Sequence, residues 1–154
     1  YVRILVAGGA DPSTNNTYEI IDATSLSPAA NWSPSVAFPD GEHRSLASAV
    51  LLPDGNVFVC GGIQRMNSPC TMFNPQTNAW APMAELPSIR DYHSVALLLP
   101  SGKVAMAGWN NTTIEVFSPP RREPRWRGEA WPRRTALPTG SSSATCFDGR
   151  ATAA

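Results

Sequence analysis

The sequence predicts an all-β fold assembled from repeated four-stranded antiparallel units. Three observations carry that expectation. The 15 prolines and 11 glycines recur at intervals between short apolar runs, which is the punctuation of strands joined by tight turns. The segment LLPDGNVFVCGG, residues 51–62, returns as LLPSGKVAMAGW, residues 98–109, at an offset of 47 positions. Each copy is followed by a polar loop and a third apolar strand ending in aromatic-x-Pro, at Phe73-Asn74-Pro75 and Phe117-Ser118-Pro119.

The first unit fits most loosely. Residues 1–6, YVRILV, read as a strand that runs into Gly8-Gly9, and Tyr18-Glu19-Ile20-Ile21-Asp22 and Trp32 follow. The second unit is complete. Its hairpin turns at Asp54-Gly55, where glycine reaches positive φ at little steric cost. A third strand follows at Thr71-Met72-Phe73, and a fourth at Ala79-Trp80-Ala81-Pro82-Met83. The third unit starts with the apolar run VALLL, residues 95–99, turns at Ser101-Gly102, and continues to Glu115-Val116-Phe117.

A four-stranded unit of this length, with Gly-Gly after the second strand and Trp in the fourth, is the kelch form of a β-propeller blade. A blade lies between two neighbours, so its inner strands are apolar on both faces. Gly-Gly lets adjacent backbones approach where a β-carbon would collide, and the tryptophan fills the wedge between blades. At roughly 50 residues per unit, residues 1–120 hold about three blades, short of the roughly four to eight of a closed propeller. An incomplete propeller with open apolar flanks is therefore expected, a piece of a longer chain that supplies the missing blades rather than one completed by another molecule. Residues 121–154 break the pattern. Arginine-rich, with Pro, Gly and Ser throughout and no strand alternation, they read as an irregular, disordered tail.

Composition narrows the partners. Twelve basic residues balance twelve acidic ones, so no global field draws the chain to nucleic acid or an anionic membrane. No apolar run approaches the roughly 18 residues of a spanning helix. Cys60, Cys70 and Cys146 form no zinc pattern; Cys60 and Cys70 read either as a disulfide across a hairpin or as two buried thiols. Sequons at Asn15, Asn31, Asn110 and Asn111 suit a secreted protein. Residues 1–6 read as a strand and not as a signal peptide, so the chain is expected to begin inside a fold, which says nothing about the compartment.

The repeat supplies a control for function. At the same offset Tyr92-His93 lie over Ser45-Leu46, so blade geometry alone does not demand the two rings. Successive side chains on a regular strand point to opposite faces. Tyr92 and His93 can converge only at a strand entrance, where Arg90-Asp91 relax the pleat. Imidazole is a preferred nitrogen ligand for copper, zinc and iron. A phenol of pKa about 10 becomes a phenolate ligand when a metal offsets its charge. The same rings could instead cap the blade through hydrogen bonds. Trp109, in place of the second glycine, reads as core filling. His43-Arg44, before the earlier blade, reads as a solvated loop near the same mouth.

The stretch RDYHSVALLLPSGKVAMAGWNNTTIEVFSPP, residues 90–120, resembles the galactose oxidase and glyoxal oxidase family, in which Arg-x-Tyr-His-Ser introduces a blade ending in Phe-Ser/Thr-Pro. The resemblance extends over residues 1–120. It implies a mononuclear copper held by two tyrosines and two histidines, one tyrosine being crosslinked to a cysteine and oxidisable to a radical. It implies oxidation of a small aldehyde or alcohol with reduction of O2 to H2O2. Carried over, Tyr92 matches the axial tyrosine and the base for the substrate's proton, and His93 an equatorial copper ligand. The resemblance also implies that the crosslinked Cys–Tyr pair lies in earlier, missing blades and the second histidine in a C-terminal domain of the parent chain; neither has a convincing match here, and the tail contains no histidine.

Two functions follow as expectations. One is a fragment of a glyoxal oxidase-like copper-radical oxidase, secreted and inactive in isolation. The other is a non-enzymatic kelch module that presents loops to a protein or glycan. The short segment Asn110-Asn111-Thr112-Thr113 favours a glyoxal-type substrate over galactose within that family.

Overall fold

The computed structural model describes residues 2–9, 16–24, 32–63, 66–120 and 144–148. The described elements are all strands, and no helix among them is long and apolar enough to cross a membrane. In the first blade β1 (Arg3–Ala7) pairs antiparallel with β2 (Thr17–Asp22), which pairs with the short β3 (Val36–Ala37). The second blade is a four-stranded antiparallel sheet of β4 (Ser48–Leu51), β5 (Val57–Cys60), β6 (Ser68–Asn74) and β7 (Ala79–Leu86). The third contains β8 (Val95–Leu98), β9 (Val104–Ala107), β10 (Ile114–Ser118) and β11 (Ala144–Asp148). These sheets have the architecture of a partial kelch-like propeller, and they do not close into a barrel.

Turn chemistry sets the two hairpins as the sequence implies. Leu52 N donates to Asn56 O at 2.8 Å, and Leu99 N to Lys103 O at 2.8 Å. Gly55 and Gly102 sit at φ of 85° and 78°, where a β-carbon is penalised. Asp54 tightens the first turn by accepting from Asn56 N at 3.0 Å and Asn56 Nδ2 at 2.7 Å.

Packing between blades is aromatic and sulfur-rich. Phe58 of the second blade stacks on Phe117 of the third, with ring centroids 4.0 Å apart, inside a buried cluster with Leu52, Cys60, Cys70, Met72 and Leu86. Cys60 and Cys70 are both free and buried. Between the first and second blades Trp80 meets Tyr18, Phe38 and Phe73, with centroids 5.0 to 5.1 Å away. Trp80 thus fills the wedge toward the preceding blade. Trp32 does not: it is exposed, with no described blade on its outer side to receive it.

The apolar flanks are open. Val2, Ile4 and Val6 are exposed on the first blade, and Val95, Leu97 and Leu98 on the third. The run 95–99, expected to be buried on both faces, is exposed at Val95 and Leu97 on one face, where no further blade packs among the described residues, and at Leu98 on the other. Residues 144–148, within the segment expected to be irregular, form β11. It lies beside β10 in parallel, Ile114 opposite Ala144, where the second blade has an antiparallel fourth strand. An unpaired strand edge is a template for such addition. The remainder of the tail, and the sequons at Asn15 and Asn31, lie outside the described residues.

Candidate metal centre

Arg90 sets the geometry of the third blade's entrance. Its side chain is 2% exposed and makes four hydrogen bonds. Nε donates to Glu115 Oε2 at 3.2 Å, Nη1 to Gly108 O at 2.7 Å, and Nη2 to both Thr113 O and Oγ1 at 2.9 Å. Glu115, 1% exposed, also accepts from Ser88 N at 2.9 Å. One guanidinium therefore ties the segment before β8 to the ends of β9 and β10.

The backbone of the same residue is clasped by the previous blade. Gly62 N donates to Arg90 O at 2.7 Å, and a β-carbon on Gly61 would stand 2.5 Å from that oxygen. The pattern recurs one blade earlier, where Gly9 N donates to Arg44 O at 3.1 Å. Arg44 is fully buried. Its guanidinium grips Asp40 at 3.0 and 2.6 Å and lies 4.6 Å from the Phe38 ring centroid. The solvated-loop reading of His43-Arg44 is thus corrected for Arg44, because its side chain is packed inside and a glycine N–H of each Gly-Gly donates to an arginine carbonyl of the next blade. His43 is exposed. Sequence reading missed this pair; an arginine preceding each of the two hairpins was the available signal.

After Arg90 the chain makes a tight turn, with Ser94 N donating to Asp91 O at 2.9 Å. His93 occupies the left-handed region at φ 62°. That rotation swings its side chain to the side of Tyr92, and the two rings stack with centroids 3.7 Å apart and planes inclined by 28°. Both residues are exposed, Tyr92 at 54%. Leu46 holds the matching φ of 61° in the second blade. The left-handed turn is therefore a property of the blade, and the rings are an addition of the third.

The β8–β9 register ends with Val95 facing Ala107, and His93 and Trp109 each lie two residues beyond that pair. A β-carbon on Gly108 would stand 2.5 Å from His93 O, so the turn closes directly on the end of β9. Trp109 is 37% exposed at φ 59°, which corrects its reading as core filling. It takes the place of Gly62, whose φ is 74°, and the left-handed backbone turns its indole out of the packed layer. Asp91 Oδ1 and Ser94 Oγ are buried with no hydrogen-bond partner among the described residues.

Tyr92 and His93 thus offer one oxygen and one nitrogen donor from the same exposed spot. Among the described residues no cluster of three or more His, Cys, Asp or Glu could hold a metal. A cavity of about 830 Å³ lies elsewhere, between the first and second blades, against Arg3, Tyr18, Val57 and Phe73. It contains neither ring, and we read it as the wedge between blades.

No protein-family model matches the chain. Two curated sequences from Gibberella zeae, each called galactose oxidase, are 31% identical to it over 96 residues. The matched region takes in 49% of this chain and 14% of each relative. The repeated blades and this similarity agree, and the chain is partially homologous to the galactose oxidase-like family.

Proposed function

We propose that residues 1–120 are blades of a copper-radical oxidase, with Tyr92 and His93 two of its metal ligands, and that residues 121–154 are a separate tail. The observation that supports this most is the comparison between blades. Both turns follow an arginine–glycine clasp and reach a left-handed residue; the second blade spans from Arg44 to Leu46 through Ser45 alone, and the third, one residue longer, runs from Arg90 through Asp91 to an exposed tyrosine–histidine stack. Exposed stacked rings contribute little to the core, so their cost in apolar burial is explained by a ligand.

Tyr92 and His93 would hold copper together with donors from outside the described residues. Copper and its tyrosyl partner would supply the two one-electron acceptors of the reaction. Tyr92 would take the proton from the substrate hydroxyl. Two electrons and two protons then leave a small alcohol or hydrated aldehyde, and O2 is reduced to H2O2. The name of the relatives adds a hydroxyl of a sugar such as galactose to the glyoxal-type candidates. Their similarity also supports export from the cell, as the sequons do.

A copper titration read by electron paramagnetic resonance tests the assignment. The wild-type chain should show a nitrogen-coordinated Cu(II) signal that His93→Ala removes and Tyr92→Phe alters. Identical spectra from all three would leave the chain as a non-enzymatic kelch module. The isolated chain should release no peroxide above a copper-only blank, because half a shell does not shelter a radical.

A further inference from the structure

We infer that Asn110 is an N-glycan acceptor and that Asn111, in the overlapping sequon, is not; this rests on the reading of the chain as exported. Asn110-Asn111-Thr112 and Asn111-Thr112-Thr113 share two of their residues, and both fit the acceptor pattern, so sequence alone ranks them equally. The fold separates them.

The first sequon points outward. Asn110 and the hydroxyl residue Thr112 are both exposed on the loop between β9 and β10. The second is bound into the blade. Asn111 Oδ1 accepts from Thr113 N at 2.9 Å and Thr113 Oγ1 at 2.8 Å, and Thr113 Oγ1 also accepts from the buried Arg90 at 2.9 Å. Both Asn111 and Thr113 are half-buried. Glycan attachment needs a surface loop, an accessible carboxamide and a free hydroxyl two residues on. The first sequon has both, and the second has committed its hydroxyl to the arginine lock that positions the metal candidate.

In the transfer, Asn110 Nδ2 bonds to the anomeric carbon of an oligosaccharide. The bond from that carbon to its lipid diphosphate breaks, the diphosphate leaves with the electron pair, and the amide gives up one proton. The loop abuts the Tyr92–His93 turn, since Gly108 closes on His93 O. The glycan therefore stands at the rim of the candidate site beside the exposed Trp109. A glycan on Asn111 would instead root in the half-buried layer over Arg90 and disturb that lock.

The test is expression of the full chain in yeast behind an added secretion leader, which imposes entry to the export pathway. Peptide 104–121 from the secreted protein is then treated with glycosidase in heavy-oxygen water, which converts a glycan-bearing Asn to a mass-tagged Asp. The tag should fall on position 110. Asn110→Gln and Thr112→Ala, both at exposed positions, should lose the glycan from this peptide, and Asn111→Gln should keep it. A tag at 111, a glycan surviving in Asn110→Gln, or secreted chain with the bare peptide would overturn the inference. A bare peptide only in protein from its natural source would instead count against export.

Discussion

His93 and Trp109, which flank the open end of the β8–β9 hairpin two residues beyond its last pair, both occupy the left-handed backbone region, at φ of 62° and 59°. The equivalent pair in the second blade is Leu46 and Gly62, at 61° and 74°. The blade imposes this backbone, and the third blade tolerates two ring-bearing residues where glycine would be unstrained. Strain of this kind is held at functional sites. It also makes the turn sensitive to small changes in side chain.

At position 93 the cost of the β-carbon is separable from the imidazole. His93→Ala keeps the left-handed strain and His93→Gly removes it. The glycine variant should be more stable than the alanine variant by roughly 1 kcal/mol, read from urea midpoints at equal m-value. Equal midpoints would mean the turn relaxes out of the left-handed region.

Gly108→Ala should act in the opposite direction. Its β-carbon would stand 2.5 Å from His93 O and 2.8 Å from Ser94 Cα, both backbone atoms, at φ 104°. The turn must shift, at a loss of about 1–3 kcal/mol. Displacement of His93 should weaken copper binding in the same titration that tests His93→Ala.

Arg90–Glu115 is a buried ion pair, 2% and 1% exposed. Removing one partner leaves the other charge uncompensated. Arg90→Met should therefore cost about 3–5 kcal/mol. The double variant Arg90→Met/Glu115→Leu should cost less than the sum of the two single changes. Additive losses in a denaturation cycle would show that the pair does not act as a unit.

Asp40 gives the chain an acid-sensitive contact. Burial alone would raise its carboxyl, but the Arg44 hydrogen bonds and charge outweigh burial and hold it below its ordinary 3.8. A lowered carboxyl stabilises the fold fully above its unfolded value, and that contribution is lost as pH falls through the native one. Wild-type stability should therefore drop below about pH 4 more steeply than that of Asp40→Asn, measured by urea midpoints across that range.

Cys60 and Cys70 should resist alkylation in the native chain. Burial pushes Cys60 up to about 12 and Cys70 well above its usual value, so thiolate is scarce at neutral pH and the sulfurs are shielded. Iodoacetamide at pH 8 should label the peptides carrying these two residues only after denaturant is added. Labelling of either peptide in the folded chain would contradict their placement in the core.

Much of the fold was legible because blades are local. Alternating apolar runs, Asp54-Gly55 and Ser101-Gly102 specify hairpins through neighbours in sequence, and an offset comparison isolates Tyr92-His93 as additions. Trp32 and Trp109 misled for a shared reason. A tryptophan in the right place of a repeat fills a wedge only if a blade stands on its far side or its backbone turns inward, and no local window contains either condition. Arg44 was misread because its partners are Asp40, Phe38 and the backbone of another blade.

By itself, then, the amino-acid order determined the strand succession, the hairpin turns and the existence of the tyrosine–histidine pair, since these depend on residue type and short spacing. The tertiary structure alone decided that the two rings stack, that Arg90 locks to Glu115 across 25 positions of chain, and that β11 lies parallel to β10. Those outcomes depend on a left-handed rotation at one residue and on contacts between distant segments, energies that arise only once separate sheets are brought together.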